Sequence, residues 1–107
     1  MTGAAPVEVF AALGDPTRQR LLEAVAQGGR STSSMAALLE ISRQGVEKQL
    51  RVLERAGLVR RQRLGRRVSY AVRPEALAEA ATWLSALADT WDRPLAAVKA
   101  LAESEPT

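Results

Sequence analysis

The 107-residue chain contains neither cysteine nor histidine. Their joint absence excludes disulfides, thiol redox chemistry, the usual soft-metal ligands and the usual general base at neutral pH. Aromatic residues are scarce as well, with two Trp, one Tyr and one Phe. Ala and Leu supply most of a hydrophobic content of 47%, which favours helix over sheet and a globular chain over a disordered one. No window approaches the ~20 apolar residues of a membrane span. Met1-Thr2-Gly3-Ala4-Ala5-Pro6 lacks the basic and apolar regions of a signal peptide. The expectation is one cytoplasmic domain over residues 1–107, with no metal, no cofactor and no membrane partner. Acid–base chemistry would fall to Asp, Glu, Lys or Tyr, and no pair of carboxylates stands in a catalytic setting, so the chain is not expected to be an enzyme.

What the chain does have is charge, unevenly placed. Its formal net charge is only +3. Residues 43–73 nevertheless hold ten basic side chains against two acids, Glu47 and Glu54, a net of +8. Residues 1–42 hold three against four, net −1, and residues 74–107 two against six, net −4. Most charge runs are solvated faces, but cations this clustered and this short of acidic partners form an electrostatic footprint for phosphate.

Periodicity divides the chain into elements. Val7 to Leu13 forms a short amphipathic helix ended by Gly14. Asp15-Pro16 restarts it, Asp as N-cap and Pro in the first turn, and the second helix runs to about Gln27 with Leu21, Leu22 and Val25 inward. Ser31-Thr32-Ser33-Ser34 caps a third helix with Met35, Leu38 and Leu39 as its apolar stripe. Ser42 caps a fourth, whose inner face is Val46, Leu50 and Leu53 and whose outer face is Arg43, Gln44, Glu47, Lys48 and Arg51. Two short helices joined by a brief turn, the second with a cationic outer face, predict a helix-turn-helix over about 32–57. Beyond Ala56-Gly57 the period falls to two. Val68, Tyr70 and Val72 face one way and Ser69, Ala71 and Arg73 the other, pairing with Leu58 to Leu64 through a turn at Gly65-Arg66. Pro74 opens a last helix to about residue 102, on which Leu77, Leu84, Trp91 and Val98 fall seven apart, with Ala80, Leu87 and Leu101 also available. Such a stripe packs against another helix. Pro94 is expected to kink or split this helix, and the tail from Ser104 onward to fray. Met35 reads as core filler, Tyr70 as a strand packing residue, and Trp83 and Trp91 as core or dimer packing. The fold class is mainly α with a small β-hairpin, in the order α-α-α-α-β-β-α.

That order resembles the winged helix-turn-helix repressors of the ArsR/SmtB type over nearly the whole chain. The residues that carry the resemblance are Leu13-Gly14-Asp15-Pro16-Thr17-Arg18, then Ile41-Ser42-Arg43 leading to Leu50-Arg51-Val52-Leu53-Glu54-Arg55-Ala56-Gly57-Leu58-Val59. Gly65-Arg66-Arg67 with Tyr70 matches the wing, over about 58–73. The resemblance implies a homodimer paired through its first and last helices, with Phe10, Leu84, Leu87, Trp91 and Val98 in the seam. It implies double-stranded DNA as partner and a palindromic operator. Three departures stand out. The paired cysteines of many sensor members fall on Ser31 and Ser33, which implies the metal-independent branch. The recognition helix, commonly Val-Ser-x-His-Leu, reads Val46-Glu47-Lys48-Gln49-Leu50. The usual glycine between the two helices is Glu40.

A sequence-specific transcriptional repressor is therefore expected. Ser42 stands at the start of the recognition helix. Arg43, Gln44, Glu47 and Lys48 are placed to meet base edges: Arg and Lys suit guanine, Gln suits adenine, and Glu accepts from cytosine. Arg51, Arg63, Arg66 and Arg67 are placed to hold phosphates or enter a minor groove. Glu47 lies at i,i+4 spacing from both Arg43 and Arg51, so an internal salt bridge is the plain alternative to direct readout. The competing function is a protein-interaction module that uses the heptad stripe, a reading that leaves the +8 segment unexplained. No residue pattern identifies a small-molecule effector.

Overall fold

The computed structural model describes residues 5–28 and 30–104. These form α1 (Val7–Leu13), α2 (Pro16–Gln27), α3 (Thr32–Leu39), α4 (Arg43–Arg55), β1 (Val59–Leu64), β2 (Arg67–Val72) and α5 (Pro74–Ser104). The element order is the expected one.

Local chemistry sets the boundaries. Asp15 Oδ2 accepts from the Arg18 amide at 3.0 Å, Ser31 Oγ from Ser34 at 3.0 Å and Ser42 Oγ from Gly45 at 2.9 Å, so α2, α3 and α4 each start on a side-chain cap. Helix α4 ends in a Schellman motif: Leu58 N–H donates to Leu53 and Gly57 N–H to Glu54, with Gly57 at φ 79°. The apolar pair of that motif, Leu53 and Leu58, is fully buried. Helix α3 ends the same way, with Ile41 N–H donating to Ala36 and Glu40 N–H to Ala37. Here the left-handed position, φ 58° and ψ 40°, is held by Glu40.

One core joins the helices to the base of the hairpin. Leu21, Met35, Val46, Leu50, Leu53, Leu58 and Val59 are its most deeply buried side chains. Leu38, expected in the apolar stripe of α3, is 44% exposed. An eight-residue helix turns one stripe inward, and Met35, Ala36 and Leu39 occupy it.

The hairpin is antiparallel with Val59 opposite Val72, Arg61 opposite Tyr70 and Leu64 opposite Arg67. Gly65 takes φ 65° whereas Arg66 does not take a positive φ, the pattern of a II′ turn. Side chains alternate along β2 as expected, but both of its faces are half-buried, so neither is open to solvent along its length. Tyr70 and Val72 pack on the core, while Ser69 and Ala71 help line a cleft of about 610 Å³ shared with α2 and the start of α3.

Helix α5 runs through Pro94 without being split. Proline removes one hydrogen bond and crowds the carbonyl four residues back, but turns on either side propagate independently of that loss. Ser104, the expected start of fraying, is still helical, and the rest of the expected tail lies outside the described residues. At 31 residues α5 is about 46 Å long, and it stretches the molecule to 70 × 32 × 20 Å. The radius of gyration is 19.5 Å, against about 13 Å for a compact chain of this length.

Glu40 provides a test of the interhelical turn. An L-residue in the left-handed region costs ~1–2 kcal/mol, and glycine gives back ~0.4–1 kcal/mol through its looser unfolded chain. Glu40→Gly is expected to stabilise the protein by about 0.5–1 kcal/mol in chemical denaturation. A lower unfolding midpoint would show that the Glu40 side chain stabilises the turn.

Candidate nucleic-acid interface

The rotation of α4 about its axis is fixed by Val46, Leu50 and Leu53, none of which retains any exposed surface. With that stripe inward, Arg43, Gln44, Lys48 and Arg51 are exposed on the helix, and Ser42 is exposed at its start. Ser42 Oγ accepts the Gly45 amide, which leaves its hydroxyl proton free to donate outward. Glu47 is half-buried. Among the described residues it forms no ion pair, so the internal salt bridge to Arg43 or Arg51 considered from the spacing is not formed. A carboxylate at i,i+4 from an exposed arginine gains little in water and must immobilise two long side chains to do it.

The hairpin distributes its cations over both faces. Cross-strand pairing puts Arg61 and Arg63 on the face of Tyr70 and Val68, whereas Arg60 shares the opposite face with Ala71, and Arg67 with Leu64. Arg66 occupies the turn. The structure therefore does not bring Arg63 and Arg67 together. Arg60 and Arg61, left out of the expected site, are exposed on the same hairpin, and the density of arginine from residue 60 to 67 was the signal for them.

The apolar surface lies on other elements. Leu84 is 50% exposed, Leu87 43%, and Trp91 and Val98 64% each, so four expected seam residues present a stripe along α5. Leu77, in the same heptad register, packs against the core instead. Phe10 is half-buried and meets Trp83 with ring centroids 5.5 Å apart at 58°, which ties α1 to α5. Val7, not among the expected seam residues, is 67% exposed on α1.

Among the described residues, no group of three or more acidic side chains is placed to hold a metal ion. No helix among them is long and apolar enough to cross a membrane.

The chain has clear relatives. A family model described as a helix-turn-helix domain matches residues 13–62. A transcriptional repressor SmtB homolog from Synechocystis is 40% identical over 65 residues, covering 61% of this chain. The match takes in 49% of that relative, so the chain aligns with about half of its length. An ArsR-like transcriptional regulator from Rhodococcus sp. RHA1 superposes with a TM-score of 0.79 at 39% identity, over 94% of this chain and 92% of that one. The homodimeric winged helix-turn-helix DNA-binding domain of a Mycobacterium bovis protein superposes with a TM-score of 0.62 at 28% identity, over 78% and 77%. With the same element order, an outward cationic helix and a basic hairpin, the chain belongs to the winged helix-turn-helix regulators of the ArsR/SmtB type.

Proposed function

We propose that the protein is a homodimeric, sequence-specific transcriptional repressor that binds a palindromic operator in double-stranded DNA, works in the cytoplasm and has no catalytic role. The observation that carries this reading is the outward face of α4, where Arg43, Gln44, Lys48 and Arg51 are exposed within a segment of net charge +8. A helix with that face enters a major groove, where Arg and Lys read guanine and Gln reads adenine. The hairpin acts as a wing. Cations on its opposite faces match the two phosphate walls of a groove, with Arg66 leading at the tip. The Rhodococcus and Synechocystis relatives are named as a regulator and a repressor, and the Mycobacterium bovis domain as a homodimer, which supports the same assignment. Pairing through α1 and α5 would cover the exposed α5 stripe, and a palindromic operator calls for two copies of α4 about 34 Å apart, one turn of DNA.

The direct experiment is selection of bound fragments from genomic DNA, followed by affinity measurement over a range of salt. Changing Arg66 and Arg67 together to Ala should weaken operator and unrelated DNA alike. It should also lower the salt slope by roughly one unit for each phosphate that a subunit no longer neutralises. An unchanged slope would remove the wing from the interface.

Trp91→Glu should dissociate the dimer, because it buries an unpaired charge in the seam at a cost of several kcal/mol. Sedimentation of the variant at micromolar concentration is the check, and persistent dimers would move the seam elsewhere.

Among the described residues Glu47 has no partner to occupy its acceptors. Direct acceptance from a cytosine amine is the role we assign to it. Glu47→Ala, measured against a library of operator variants, should lose ~1–3 kcal/mol of discrimination at a single C·G pair. Equal loss at every position would leave Glu47 with no part in base readout.

A further inference from the structure

The side chain of Arg18 connects three helices. Its amide is bound by Asp15 Oδ2, which fixes its base in the first turn of α2. Its guanidinium Nε donates to the Ala12 carbonyl at 2.7 Å and Nη2 to the Ala11 carbonyl at 3.3 Å. Both carbonyls belong to the last turn of α1, where the helix dipole favours a cation; the Ala11 oxygen also accepts from the Gly14 amide at 3.3 Å. The remaining arm, Nη1, donates to Gln49 Oε1 on α4 at 3.1 Å. Because the guanidinium is planar, two bonds to α1 determine where the third can point. Among the described residues Arg18 forms no ion pair, so this cation is held by neutral acceptors alone.

Gln49 does not share the fully exposed outer face of α4. It is half-buried on the flank between that face and the core stripe, with Val46 and Leu53, three residues before it and four after, adjoining it on the inward side. On the other side of Arg18, α1 is tied to α5 by Phe10 and Trp83. The contacts thus run without a gap from α5, through α1 and one guanidinium, to the helix proposed to read DNA.

We infer that Arg18 is a positioning residue that, through Gln49, sets the angle at which the recognition helix is presented from the dimer. The inference rests on the DNA-reading function and the α1–α5 dimer proposed above. A dimer on a palindrome must insert two helices at once, so a small error in their mutual angle misaligns base contacts in both half-sites. Contacts with phosphate, which tolerate a shift, are affected far less. Arg18 and Gln49 therefore govern specificity without touching a base.

The test uses the full chain, a selected operator duplex and a scrambled duplex of equal length. Gln49→Met removes the acceptor at nearly constant volume, and Gln49→Glu keeps an acceptor. The Met variant should bind the operator about tenfold more weakly, the equivalent of losing a hydrogen bond to a charged group. Its affinity for the scrambled duplex, its salt slope and its dimer dissociation constant should stay as in the wild type. The Glu variant should recover the operator-to-scrambled ratio even though its added charge lowers both affinities. A thermal-denaturation cycle over Arg18→Met, Gln49→Met and the double variant reads the bridge itself without DNA, and non-additive melting shifts are expected. Additive shifts would overturn the inference, as would a wild-type operator-to-scrambled ratio in Gln49→Met alongside coupled melting. Equal losses on both duplexes would also overturn it, by making Gln49 a direct DNA contact. If melting is coupled but the wild type prefers no sequence, it is the proposed DNA-reading function that fails, and the positioning role falls with it.

Discussion

The constraint on which the rest of the structure depends is the complete burial of three side chains on α4. Val46, Leu50 and Leu53 lose all their exposed surface. Successive residues on a helix are 100° apart, so three buried anchors leave no freedom in which side chains face outward. Truncating either leucine would forfeit ~2–5 kcal/mol, a large part of what a small domain has. The same cluster holds the hairpin. Leu58, the first residue beyond the Schellman glycine, packs into the core with Leu53, and the Arg73 amide donates back to the Leu58 carbonyl at 2.8 Å. The recognition helix and the base of the wing are therefore oriented by one body of apolar contacts.

Helix α5 obeys a different logic. Its first turns bury Ala80 and rest Ala76 and Leu77 on the core, after which the helix continues past the body of the molecule. A chain that extends well beyond the compact radius for its length, with Leu and Trp exposed along the extension, has surface that folding alone does not cover. The core serves the helix-turn-helix, and in the proposed dimer association is left to the long helix. The Phe10–Trp83 contact, together with Ala76, Leu77 and Ala80 on the core, joins the two.

Much of this was legible in the residues. Asp15-Pro16, Ser31 and Ser42 announced three helix starts, and each is a side-chain cap or first-turn proline in the structure. The i, i+4, i+7 spacing of Val46, Leu50 and Leu53 implied the outward face of α4 by subtraction. What was not legible depended on contacts between distant segments. Ser69 and Ala71 are half-buried because α2 and α3 stand across a cleft from the wing, and no period within β2 encodes that. Leu38 has the spacing of a core residue, but Met35, Ala36 and Leu39 fill the inward side of so short a helix. Glu47 has two arginines at suitable spacing yet pairs with neither, since spacing places side chains near each other without making the contact favourable. Arg18 stands in plain view within Asp15-Pro16-Thr17-Arg18. Its acceptors, however, are two main-chain oxygens and a side chain 31 positions away, which no local pattern reveals.

The partition of charge has a consequence for encounter kinetics. The segment that carries +8 forms the recognition helix and wing, while the last 34 residues, net −4, form the long helix and the tail beyond it. The molecule is in effect an electric dipole, and the field of a duplex exerts a torque on it before any contact is made. Approach is biased so that the basic elements lead and the acidic helix trails, shrinking the orientational search that ordinarily slows docking. In the proposed function the same torque holds the wing against the backbone during one-dimensional sliding, so that the protein reaches its operator already facing the groove.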